Sequence, residues 1–206
     1  AEEEPGKYHG MSPRGSVSAE NFSHRLGEIL IEESAKDDRI CAITAAMSEG
    51  TGLEAFREVR PHRFFDVGIA EEHALTFAAG LSAAGMKPVF AVYSTFLQRS
   101  YDQLIHDAAL QKLPMVLAVD RAGFARADGP THHGLFDVSM ALSLPESRIF
   151  APLDFNSLDL FLESALQEQA ITFIRYRSGG PSKCAAELPY IYKEEFLRGK
   201  VPHGPL

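Results

Sequence analysis

The chain has 206 residues, 45% of them hydrophobic and 23% charged, which suits one globular domain with a sizeable core. A formal net charge of −8 argues against a nucleic-acid surface, which needs clustered Lys and Arg. No apolar run reaches the ~20 residues of a membrane span and none has the layout of a signal peptide, so a cytoplasmic protein without membrane or nucleic-acid partners is expected. Two cysteines, Cys41 in an apolar run and Cys184 in a polar one, make neither a disulfide framework nor a metal site.

Residues 1–17 are polar, carry Pro and Gly and show no period, which reads as a linker or a cut edge. The domain is expected over residues 18–180. It opens with Ser18 as an N-cap and with Phe22, Leu26, Ile29 and Leu30 at the spacing of one buried helix face. The run 39-RICAIT-44 reads as a buried strand, and the Gly-punctuated loop 48-SEGTG-52 and a short helix lead to a second strand, 63-RFFDV-67. A helix of small residues, 70-AEEHALTFAAGLSAAG-85, precedes the strand 88-PVFAVY-93. A single helix over 95–111 then leads to the strand 115-MVLAVD-120. After a long loop come a helix near 136–144, the strand 148–152, a helix over 155–169 and the strand 171–176. Residues 181–206 read as a tail, in which 190-YIYKEEFL-197 forms a short helix or turn.

Six short strands, mostly without polar alternation and separated by helices, predict a doubly wound α/β fold with a mainly parallel sheet covered on both faces. In such sheets ligands bind beyond the carboxyl ends of the strands. Three loops there carry unusual polar residues. Glu71, Glu72 and His73 open a helix: carboxylates are favoured at helix N-termini by the macrodipole, so a purely structural reading competes with a functional one. In 93-YSTFLQRSYDQ-103, Tyr93, Phe96, Arg99 and Tyr101 serve either as core or as a ligand platform. The segment 120-DRAGFARADGPTHHG-134 holds two Arg, two Asp and two adjacent His; structured loops of that length usually bind something. No metal-ligand spacing, Walker loop, nucleophile elbow or dinucleotide fingerprint is present.

The strings DVGIAEEHALTFAAG, YSTFLQRSYDQLIHD and DRAG…ADGPTHHG, with the earlier AITAAMSEGTGL, resemble the pyrimidine-binding domain of the 1-deoxy-D-xylulose 5-phosphate synthases, thiamine diphosphate enzymes of the transketolase group. The resemblance runs from about Phe22 to Tyr176. It implies a transferase that joins pyruvate, with loss of CO2, to glyceraldehyde 3-phosphate, supplying isoprenoid and thiamine precursors. It gives Glu71 the task of hydrogen-bonding N1′ of the cofactor's aminopyrimidine, where burial among Phe77 and Ala78 would favour the neutral carboxyl. It places Phe96 against the pyrimidine ring, with Tyr93 and Arg99 lining the same pocket. Arg121 is implied to bind the aldehyde's phosphate, with Tyr93, Asp128 and His132 facing substrate and His132 shuttling protons. Glu72 is left at the surface or in a supporting place behind the groups that touch the cofactor, and His133 receives no role.

Two departures qualify that reading. Where the family continues its last strand as Arg-Tyr-Pro-Arg-Gly, this chain reads 175-RYRSGG-180, so Ser178 stands at the second Arg and Arg177 lies one place early. A one-residue shift turns a strand side chain to the other face. The Gly-Asp-Gly segment that binds magnesium and the diphosphate is also absent from this sequence. The resemblance therefore implies a diphosphate-binding domain or subunit as partner, which would supply the magnesium ligands, a chain inactive alone, and a homo-oligomer. Two other readings stand beside it: the corresponding chain of a split transketolase or 2-oxo acid dehydrogenase, and a non-catalytic interaction module derived from this domain.

Overall fold

The computed structural model of the chain describes residues 20–125 and 129–181. Six strands form one sheet: β1 (Ile40–Thr44), β2 (Phe64–Asp66), β3 (Lys87–Tyr93), β4 (Met115–Asp120), β5 (Arg148–Phe150) and β6 (Ile171–Arg175). Their order is β2-β1-β3-β4-β6-β5, and every neighbouring pair is parallel. The chain winds outward from β1 to β2, returns past β1 to β3 and then builds in the other direction. The carboxyl ends of β1 and β3 therefore flank a topological switch point, where such folds open a crevice.

Strand side chains alternate between two cores. Val89 and Ala91 of β3, with Val116 and Ala118 of β4, pack under α1 (Phe22–Lys36), α2 (Glu54–Val59) and a later helix, Phe155–Ala165. Phe90 and Val92, with Leu117 and Val119, pack under α3 (Glu71–Ala83) and the helical segment that follows β3. Both faces are thus covered, and β1 and β4 are buried along their whole length. Burying one such Phe or Leu contributes about 1.5–3 kcal/mol, which explains why these runs lack polar alternation.

Two local expectations give way. The first helix begins at Phe22 with Asn21 as its N-cap, whose Oδ1 accepts from the His24 amide at 2.8 Å; Ser18 lies outside the described residues. The helix expected over 95–111 is broken into α4 (Ser94–Leu97), a 3₁₀ turn (Gln98–Ser100), α5 (Tyr101–Gln103) and a π-turn (Leu104–Ala109). The wider turn accompanies a cross-element contact, in which Thr76 Oγ1 of α3 donates to Asp107 Oδ2 at 2.5 Å. The last two helices are α6 (Asp137–Leu142) and α7 (Phe155–Ala165).

Candidate functional site

Glu71 is delivered by a short, tightly held loop. Asp66, the last residue of β2, accepts at Oδ1 from the amides of Ala46 (2.8 Å) and Gly68 (3.0 Å), and the Val67 amide donates to Thr44 O at 3.1 Å. Gly68 sits at φ 76°, in the left-handed region that glycine adopts without strain. Glu71 is then the first residue of α3 and is 2% exposed, while Glu72 and His73 face solvent. A carboxylate that deeply buried needs more than a helix dipole. Its partner is Arg99, whose Nη1 donates to Glu71 Oε1 at 2.6 Å. Burial among Phe77 and Ala78 is therefore only half of the environment expected for this group, because a guanidinium is in contact with it. Among the described residues, Oε2 accepts no hydrogen bond.

Arg99 begins a chain of ring and cation contacts. Its guanidinium carbon lies 4.9 Å from the Phe96 ring centroid; Phe96 stacks on Tyr93 at 5.8 Å, and the Arg121 guanidinium lies 3.9 Å from the Tyr93 centroid. His132 meets the Phe96 ring edge-on at 5.5 Å. Tyr93, at the carboxyl end of β3, reaches across the switch point to the loop after β1. A Cβ built on Gly50 would lie 1.8 Å from the Tyr93 hydroxyl, so only glycine fits there with Tyr93 in place. Glu71, Arg99, Phe96, Tyr93, Arg121 and His132 thus form one continuous set of contacts at the carboxyl end of the sheet.

The long loop after β4 is closed by a clasp in which Gly123 and Gly134 exchange both backbone hydrogen bonds at 2.8 Å. Gly134 has no room for a side chain, since a Cβ would lie 2.5 Å from Ser94 Cβ and 2.7 Å from Arg121 O. Thr95 Oγ1 donates to Thr131 O at 3.0 Å, tying the His132 turn to α4. His133 has a structural task that the sequence did not disclose: its Nδ1 accepts from the Ala125 amide at 3.1 Å, and its ring packs on Phe124. Asp128 lies outside the described residues.

At the end of β4, Asp120 is 1% exposed; it accepts from Ser23 Oγ and from the Arg121 amide, both at 2.6 Å. Burial pushes its carboxyl up to about 6, against the lowering effects of Ser23, the Arg121 amide and the Arg121 charge. Arg175 at the top of β6 is taken up by buried Asp137, Nε to Oδ2 at 2.6 Å, whereas Arg177 and Ser178 are exposed. Among the described residues no group of three or more His, Cys, Asp or Glu is placed to hold a metal ion. No helix among them is long and apolar enough to cross a membrane.

Residues 20–179 match the family described as "Transketolase, pyrimidine binding domain". The chain belongs to that family. Among curated proteins, it is 51% identical over 187 residues to the 1-deoxy-D-xylulose-5-phosphate synthase of Clostridium perfringens, covering 87% of this chain and 30% of that protein. It is 45% identical to the enzyme of the same name from Clostridium acetobutylicum, covering 97% of this chain and 33% of the other. The chain thus spans about a third of the length of these curated relatives. Among solved structures, a chain titled "Split gene transketolase, inactive beta4 tetramer" aligns with a TM-score of 0.68 at 28% identity, over 77% of this chain and 52% of that one. The transketolase of Leishmania mexicana aligns with a TM-score of 0.70 at 18% identity, over 87% of this chain and 28% of the other, which speaks for the fold.

The sequence assigned no role to Asp120, Ser23 or Gly50, although Asp120 and Gly50 lie within the strings that carry the resemblance. Each becomes visible only through the neighbour it meets.

Proposed function

We propose that the chain is the pyrimidine-binding part of a thiamine diphosphate-dependent 1-deoxy-D-xylulose 5-phosphate synthase, acting on pyruvate and glyceraldehyde 3-phosphate once a diphosphate-binding domain or subunit completes the site. The observation that carries this reading is Glu71, buried at the first turn of α3 and in contact with Arg99, beside the stacked rings of Phe96 and Tyr93. The donor set fits an aminopyrimidine: a carboxyl with one oxygen committed to Arg99 and the other open, beside the Phe96 and Tyr93 rings. The 45–51% identity to synthases, against 28% to the split transketolase, favours the synthase over its relatives.

Thiamine diphosphate, when bound, would supply the carbon nucleophile and electron sink for breaking the pyruvate C1–C2 bond, with release of CO2, and forming the new bond to the aldehyde carbon. Glu71 Oε2 would hold and exchange a proton at N1′ of the pyrimidine, with Arg99 fixing the carboxyl through Oε1. Phe96 would pack on the pyrimidine ring, with Tyr93 and Arg99 lining the same pocket. The Arg121 fork would grip the aldehyde's phosphate, and Asp128 and His132 would face the reacting oxygens. Magnesium would be held by the diphosphate-binding half.

The solved relative titled "Split gene transketolase, inactive beta4 tetramer" supports a chain that assembles with copies of itself and is inactive alone. Titration calorimetry tests this reading. The isolated chain should bind thiamine diphosphate weakly or not at all, and adding the diphosphate-binding half should create a magnesium-dependent site that forms 1-deoxy-D-xylulose 5-phosphate. Tight binding by the chain alone, or a completed enzyme that consumes pyruvate without joining it to the aldehyde, would overturn it.

A further inference from the structure

Arg121 is one of four described non-glycine residues with positive φ, at 55°, a conformation that side chains with a Cβ avoid. Its backbone is held from two sides. The Arg121 amide donates to Asp120 Oδ1 at 2.6 Å, and its carbonyl oxygen lies against Gly134, the residue clasped to Gly123. Asp120 is itself anchored, because Ser23 Oγ at the start of α1 donates to Oδ2 at 2.6 Å. The guanidinium that emerges from this turn lies 3.9 Å from the centroid of Tyr93, the residue paired with Asp120 in the sheet register. Nothing in the proposed reaction requires Asp120 to touch substrate, yet a carboxyl group stands at a site where burial disfavours its charge.

We propose that Asp120, braced by Ser23, is a positioning residue for the synthase reaction: it locks the left-handed turn at Arg121 and thereby aims the guanidinium over Tyr93 toward the substrate's phosphate. This rests on the reading of Arg121 given above. Phosphate recognition by a guanidinium depends on the fixed direction of its fork, so a relaxed Arg121 backbone weakens binding of the phosphorylated aldehyde without touching chemistry at the cofactor.

The test is made in the completed enzyme. Asp120→Ala should raise the KM for glyceraldehyde 3-phosphate about tenfold, the expected effect of losing a charge-assisted hydrogen bond, and leave the KM for pyruvate unchanged. Asp120→Asn keeps an acceptor for the Arg121 amide and should restore most of the affinity. Ser23→Ala, at a partly exposed position, should give a smaller rise of about threefold to fivefold. With unphosphorylated D-glyceraldehyde the Asp120→Ala effect should disappear, and in an Arg121→Ala background it should add nothing further. A crystal structure of Asp120→Ala should show Arg121 outside the left-handed region and its guanidinium moved from Tyr93. An unchanged turn, an equal KM rise with the unphosphorylated aldehyde, or full additivity with Arg121→Ala would overturn the proposal. If instead Arg121→Ala left the KM for glyceraldehyde 3-phosphate unchanged, the ligand assigned to Arg121 would fail, while the crystal structure would still decide whether Asp120 holds the turn.

Discussion

Replacing Arg99 by Gln would leave the Glu71 carboxylate 2% exposed and without the guanidinium now 2.6 Å away. Removing one member of a fully buried pair costs about 3–5 kcal/mol. The Arg99 side chain is 48% exposed, so water screens the cation and the cost falls to about 1–2 kcal/mol. Losing the guanidinium from its place 4.9 Å above the Phe96 centroid adds about 0.5–1 kcal/mol. A total of about 2 kcal/mol corresponds to a fall in Tm of about 4–8 °C for a domain of this size. Thermal unfolding followed by circular dichroism, on Arg99→Gln, Glu71→Gln and the double variant, measures it. In the double variant no carboxylate is left unpaired, so it should melt above Arg99→Gln alone. An Arg99→Gln protein melting within about 1 °C of wild type, or a double variant less stable than either single one, would refute the idea that Arg99 is what lets a charged group occupy this place.

Gly50→Ala places a Cβ 1.8 Å from the Tyr93 hydroxyl and 2.8 Å from Cζ. With Phe96 and Arg121 flanking the ring, Tyr93 must shift, and the KM of the completed enzyme for its aldehyde substrate should rise about tenfold; an unchanged KM would contradict the chain of ring contacts as a working part of the site. Asp120 makes folding depend on pH. Its folded pKa of about 6 lies above the ordinary 3.8, so between those values the native state holds a proton that the unfolded chain has lost, and stability falls as pH rises from about 4 to about 6 and then levels. The groups facing it are Ser23, the amide and charge of Arg121, Tyr93 across the register and the buried Tyr176. Urea unfolding should show wild type losing up to about 3 kcal/mol relative to Asp120→Asn over that window, and a pH-independent difference would count against the burial argument.

The sheet and its two cores were legible because they rest on patterns that physics makes local. Runs such as Val89–Val92 and Val116–Val119 carry no polar residue because both of their faces are covered, and α1 shows its buried stripe at Phe22, Leu26, Ile29 and Leu30. The positions of Glu71, Tyr93 and Phe96 after strand ends were also legible, since a parallel sheet presents those ends together. The pairing of Glu71 with Arg99 was not, because residues 28 apart in sequence meet through the folding of α3 against the segment after β3. Nor was the π-turn at Leu104–Ala109, whose sequence satisfies an ordinary helical period and whose contact with Thr76 is tertiary. Asn21 caps the first helix because its Oδ1 reaches the His24 amide, a contact that a sequence with several good capping residues in a row does not fix.

The central claim is that Glu71 exchanges a proton with the pyrimidine of thiamine diphosphate. In the enzyme completed by its diphosphate-binding half, deuterium uptake at C2 of the bound cofactor reports that role directly. Loss of a general acid–base partner typically costs about 10²–10⁴-fold, so Glu71→Gln should slow the uptake by that order. Glu72→Gln, one residue on and facing solvent, should leave it nearly unchanged. Uptake at the wild-type rate in Glu71→Gln would contradict the account and return Glu71 to the role of a negative charge placed favourably at the start of a helix.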